Sequence, residues 1–126
     1  MQRAFVTPAR KALAEAWKNN DALYRLRELA NFYHKPVIFT EIGYRSAKNA
    51  HLAPWEYLSR SPQDLMEQAD LYFVAMEYIR VQPWIRGIIW WEWYTTTHVD
   101  ATDTGFTPFN KPAEKLLSAL IIEKRP

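Results

Sequence analysis

Apolar residues in the first part of the chain recur at three- and four-residue steps: Leu13, Ala16, Trp17, Leu23, Leu26, Ala30 and Tyr33. That spacing predicts a helix from Pro8 to about His34, and a proline suits its first turn. Asn19, Asn20 and Asp21 compete for backbone hydrogen bonds, so the helix is expected to kink or split there. The period then changes. In "KPVIFTE", Val37, Ile38 and Phe39 form an unbroken apolar run behind Pro36, as in a strand covered on both faces. Residues 42–60 read as a long loop around "HLAPWEYLSR". Ser61-Pro62-Gln63-Asp64 then resembles a helix start, with Ser61 at the N-cap, Pro62 in the first turn and an acid at the positive end of the dipole. This helix is expected to reach about Arg80, burying Leu65, Ala69, Tyr72, Met76 and Ile79, and Pro83 helps to stop it. "GIIWWEW", residues 87–93, is a second apolar strand. A second long loop, Thr95 to Phe109, leads to a last helix in "NKPAEKLLSALI", capped by Asn110.

Helix, strand, long loop, helix, strand, long loop, helix is the order of an α/β fold with parallel neighbours. The loops that follow the strands are long, and the connections that precede them are short. Long loops at strand C-termini are where a (β/α)8 barrel carries its chemistry. Two parallel strands leave two bare edges, and such a barrel needs at least about 200 residues. The 126-residue chain therefore reads as one piece of a barrel.

Composition narrows the chemistry. The net charge is +2, and the sixteen Lys and Arg are dispersed, which argues against a nucleic-acid partner or an anionic membrane. Without cysteine there are no disulfides, no thiolate nucleophile and no thiolate metal site. The N-terminus lacks a signal-peptide core, and no apolar run approaches the roughly 18 residues of a membrane helix. The chain is expected to be soluble, and its compartment is not legible. Six Trp, seven Tyr and six Phe make it unusually aromatic.

Strand alternation assigns faces. It groups Val37, Phe39 and Glu41 on one side of the first strand, and Gly87, Ile89, Trp91 and Trp93 on one side of the second. Glu41 and Trp91 can then both point to a barrel axis at the C-terminal rim. A carboxylate beside an indole suits a glycosidase, in which the acid attacks or supports the anomeric carbon and the ring stacks on the sugar. The plain alternatives are a strand-end acid meeting solvent or a lysine, and a Trp that fills the core. Tyr44 could hydrogen-bond the acid or a sugar hydroxyl, or simply pack in the loop. Trp55 could wall a neighbouring subsite or hold its loop down. Trp93 follows Trp91 closely enough to join it. Alternation turns Glu92 away from the axis, so it is not assigned as the acid partner. "HVDATD" offers His98, Asp100 and Asp103 without a helix to fix their spacing, and reads as polar surface with no metal. Trp17 and Trp84 read as packing. No cofactor is implied.

"KPVIFTEIGYRS" resembles the nucleophile-bearing segment of glycoside hydrolase family 113, a β-mannanase group among the retaining (β/α)8-barrel enzymes. "GIIWWEW" is similar to the eighth strand of such barrels, and "DTGFTPFNKPAEKLL" to their closing loop and final helix. The resemblance implies a C-terminal barrel portion: sixth helix, seventh strand, seventh helix, eighth strand and eighth helix, as one partial glycosidase domain over residues 1–126. It implies that Glu41 stands at the nucleophile position and Trp91 at the aromatic platform of the reacting subsite. The partner implied is a β-linked oligosaccharide or polysaccharide.

Retention needs two carboxylates about 5–5.5 Å apart. In such barrels the acid/base is a Glu at the end of the fourth strand, preceded by Asn, and no Asn-Glu pair occurs in this sequence. The chain is therefore expected to be inactive by itself and to need a complementary barrel segment. Two other readings stay open: a non-catalytic carbohydrate-binding protein that keeps the aromatic rim, and a structural fragment that self-associates into a homo-oligomer through its strand edges.

Overall fold

The computed structural model describes residues 7–95 and 99–122. Helices α1 (Pro8–Lys18) and α2 (Asp21–Tyr33) take the place of the single leading helix, and the break falls at Asn19–Asn20. The cause is capping. Asn19 closes α1, and the Asn20 side chain accepts the Leu23 N–H at 3.0 Å to open α2. At the other end of α2, His34 adopts a left-handed φ of 51° and donates its N–H to the carbonyls of Ala30 and Asn31. Leu23 and Ala30 are buried as their spacing predicts, whereas Tyr33 faces outward.

Strands β1 (Val37–Ile42) and β2 (Ile85–Trp90) pair in parallel as a two-stranded sheet. Their register couples Ile38 with Gly87, Phe39 with Ile88 and Ile42 with Trp90. Helix α3 (Leu65–Ile79) connects them, and α4 (Pro112–Ile122) follows β2. The start of α3 differs from expectation. Asp64, not Ser61, is the N-cap, and its carboxylate accepts the Glu67 N–H at 2.8 Å. The preceding residue Gln63 is held instead in an isolated antiparallel bridge with Ala47. Asn110 likewise does not cap α4 with its side chain. It sits at φ 58° and donates its backbone N–H to Glu114 Oε2 at 2.8 Å.

Two apolar clusters hold these elements. Leu23, Ala30, Ile79, Trp84 and Ile85 pack with Val37, Phe39, Ile42 and Ile88 between the helices and one face of the sheet. Tyr72, Leu71, Ala69, Ala75, Ala113 and Leu117 join α3 to α4 beneath Tyr44. Trp17 stacks obliquely on Tyr78 with ring centres 5.1 Å apart, and Trp84 is buried, so both serve packing. The other face of the sheet is open: Ile38 is 56% and Ile89 59% exposed. These are the inward positions of a barrel whose remaining strands lie outside this chain. Among the described residues no helix is long and apolar enough to cross a membrane.

Candidate active site

The C-terminal ends of the two strands meet closely. The Trp91 N–H donates to the Ile42 carbonyl at 2.7 Å, which extends the ladder one step past β2. Directly beyond, Gly43 lies against the Trp91 carbonyl so tightly that a Cβ there would be 1.6 Å from its oxygen. Only a residue without a side chain allows this approach. The contact sets Glu41 and Trp91 side by side across the strand ends.

They line one cavity of about 700 Å³, together with Ile42, Gly43, Tyr44, Pro54, Trp55, Tyr57, Glu92 and Phe106. Glu41 reaches it by a route that strict alternation does not supply. Val37 and Phe39 pack against the helices, so a regular strand would bury Glu41 with them. The pairing is irregular between Phe39 and Ile42, and Ile42 takes the helix-facing place instead. Glu41 is thereby left exposed at the rim. Glu92 departs from expectation for a related reason. Regular strand ends at Trp90, so the alternation of β2 no longer applies, and the side chain that alternation turned away lies in the cavity wall.

The other expected residues divide. Trp91, 47% exposed, and Trp55, 77% exposed, present open indole surface at the cavity. Tyr44 also lines it but is only 7% exposed, and it meets Tyr72 edge-on with ring centres 5.5 Å apart. Burial pushes its phenol well above the usual tyrosine range, so it is held as a neutral, packed ring. Trp93 is exposed but does not line the cavity. Tyr57, Pro54 and Phe106 were not anticipated. Tyr57 follows Trp55 by two residues in the same loop, which is the one hint that the sequence held.

Buried polar side chains fix both rim loops. The Arg45 guanidinium donates to the Thr104 carbonyl and Thr104 Oγ1 at 2.9 Å, to Ser59 Oγ at 2.8 Å, and to the carbonyls of Glu56 and Ser59. One side chain thus joins the loop after β1 to the loop after β2. Buried Gln68 on α3 donates to the carbonyls of Tyr44, at 2.9 Å, and Phe106, at 3.0 Å. Lys111 Nζ, also buried, bonds Ser46 Oγ and Asp103 Oδ1, each at 3.0 Å. Burial holds its ammonium below the ordinary lysine range, against the opposing pull of Asp103. Asp103 is therefore an internal anchor rather than the polar surface expected of "HVDATD". His98 of that motif lies outside the described residues.

The C-terminal rim of the two parallel strands thus presents an acid, exposed indoles and an aromatic cleft. The model of Glycoside Hydrolase Family 113 matches residues 5–111. The chain belongs to glycoside hydrolase family 113. Solved structures agree. One family-113 β-1,4-mannanase superposes with a TM-score of 0.76 at 28% identity, covering 89% of this chain and 36% of its own. Another, described in a complex, gives 0.73 at 28% identity, with 82% of this chain and 34% of its own covered. AaManA from Alicyclobacillus acidocaldarius, a family-113 β-mannanase in complex with ManMIm, gives 0.72 at 28% identity over 86% of this chain and 36% of its own. This family-113 chain thus spans about a third of the length of these enzymes and corresponds to a part of their barrel. No curated protein sequence matches it.

Proposed function

We propose that this chain is the C-terminal portion, over residues 1–126, of a retaining glycosidase domain acting on β-linked mannan-type glycans, with Glu41 as its nucleophile. One observation carries the reading: Glu41, at the end of β1, and Trp91, just past β2, wall a single cleft in a family-113 chain. The likeness to β-1,4-mannanases supports the substrate class. In this scheme the Glu41 carboxylate attacks the anomeric carbon and forms a glycosyl-enzyme ester, while the glycosidic oxygen leaves with a proton from an acid. Water then releases the sugar, giving up its proton to the same residue acting as base. Trp91 and Trp55 offer flat apolar faces to the C–H surfaces of the sugar rings. The acid/base comes from outside this chain, on a complementary barrel segment that covers Ile38, Ile89 and the strand edges.

The test is trapping. In the assembled barrel, an activated 2-fluoro-mannoside should add to one carboxylate, and peptide mass spectrometry should locate it on Glu41. An assembly that binds manno-oligosaccharide and yet labels elsewhere, or not at all, removes Glu41 from this role. The bare edges and open sheet face favour a second reading, a fragment that associates with its own copies and binds sugar without cleaving it. A chain that is monomeric at high concentration would end that reading.

A further inference from the structure

The cleft holds a second carboxylate for which attack by Glu41 has no use. Glu92 follows Trp91 and lines the same cavity. The Tyr94 phenol donates a hydrogen bond to it, and that bond pushes the phenol above its ordinary range. In that bond Glu92 is the acceptor. Tyr94 is itself anchored. Its N–H donates to Thr107 Oγ1 at 2.9 Å, and the Thr107 hydroxyl returns a bond to the Tyr94 carbonyl at 3.2 Å. Thr107 is buried next to Phe106, whose carbonyl Gln68 holds from α3. The acid is thus carried by a short chain of contacts that runs back into the core.

Among the described residues, no Lys, Arg or His lines the cavity. The wall therefore offers two acidic side chains and aromatic faces with no cation beside them. An ionised carboxylate can only accept hydrogen bonds, so it favours ligands rich in hydroxyl donors and repels ligands that are themselves anionic. We propose that Glu92 is a specificity-determining residue: it accepts hydrogen bonds from the hydroxyls of a neutral β-linked oligosaccharide and, with Glu41, excludes the same backbone carrying carboxylates. This rests on the reading of the cleft as a glycan site.

The experiment compares β-1,4-linked mannotriose with the β-1,4-linked mannuronate trimer, which puts a carboxylate on each ring of a similar backbone. Affinities of both for the 126-residue chain are measured by titration calorimetry at pH 7 and low salt. Two carboxylates about 6 Å from a ligand charge in a water-like dielectric weaken binding about tenfold, so the wild type should prefer mannotriose by at least that factor. Glu92→Gln should weaken mannotriose about tenfold, as expected when a charge-assisted hydrogen bond is lost, and narrow the preference to about threefold or less. Tyr94→Phe keeps the charge and should keep the preference. For the wild type, about 1 M salt should narrow the preference by itself, a readout independent of any variant's folding. A wild type that binds mannotriose without preferring it, or a Glu92→Gln variant with unchanged affinity and preference, overturns this inference and leaves the glycan site standing. A wild type that binds neither sugar, alone or assembled with its complementary barrel segment, removes the glycan reading, and this inference with it.

Discussion

Replacing Gly43 with alanine tests whether the meeting of the strand ends builds the site. The new Cβ would lie 1.6 Å from the Trp91 carbonyl oxygen and 2.8 Å from its carbon. Both are backbone atoms, so no side chain can swing aside. A comfortable carbon–oxygen contact is about 3.3 Å, so the two strand ends must part by roughly 1.7 Å. That movement breaks the 2.7 Å bond from the Trp91 N–H to the Ile42 carbonyl. Overpacking costs about 1–3 kcal/mol and the lost hydrogen bond about 1 kcal/mol more, so the total is roughly 2–4 kcal/mol. For a domain of this size that corresponds to a fall in melting temperature of about 10–15 °C. Thermal unfolding followed by far-UV circular dichroism reads the stability, and tryptophan fluorescence at 20 °C reads the rim. The shift of Trp91 relative to Glu41 should also weaken mannotriose binding, because misplacement by about 1 Å is enough to spoil a reacting geometry. An alanine variant that melts within about 2 °C of wild type and binds as well would refute the argument that this contact positions the pair.

The remaining expectations concern the supports and the acid itself. Arg45→Lys replaces a fork of donors with a single ammonium and should cost roughly 2–4 kcal/mol, seen as a lower denaturation midpoint with faster proteolysis in residues 44–60 and 99–107. Unchanged cleavage there would show that the guanidinium does not tie the loops. Glu67 accepts from the backbone N–H groups of Asn49 and His51 and from the His51 ring. Burial pushes its carboxyl up, but the His51 and Asn49 bonds outweigh it and hold the folded pKa below the ordinary glutamate value. Its stabilising contribution is therefore present above about pH 4.5 and is lost as pH falls through the depressed folded value. Loop 47–53 should loosen first in acid, as followed by amide exchange, and Glu67→Gln should remove that acid step. Glu41→Ala in an assembled barrel should lower turnover by roughly 10⁴-fold or more while leaving oligosaccharide affinity within about threefold.

Much of the architecture was legible because local chemistry and tertiary packing agree. Pro36 before an apolar triplet marks β1, and the Asn pair that divides the leading helix acts through side-chain capping, the property that made a split expected. The failures have equally local causes. Ser61-Pro62 looked like a helix start, yet Gln63 is claimed by the bridge to Ala47, and capping passes to Asp64. Alternation grouped Val37 and Phe39 correctly but wrongly added Glu41 to their face and turned Glu92 from the cleft, because a period of two holds only within regular strand and both rims are irregular. Arg45, Gln68 and Lys111 gave no signal at all. A buried cation or amide is recognisable only once the loops that supply its partners are in place, and those partners lie as far as 59 or 65 positions away.

The Arg45, Gln68 and Lys111 ties all join parts of this one chain, and none calls on the opposite side of a barrel. This wall of the cleft is therefore portable. Exchange of the complementary segment would alter the acid, the far wall and the length of glycan accommodated, while Glu41, Trp91 and Glu92 would keep their mutual arrangement. For an engineer, if Glu41 is the nucleophile as proposed, libraries of partners can be screened against this rim without redesigning the part that carries Glu41, Trp91 and Glu92.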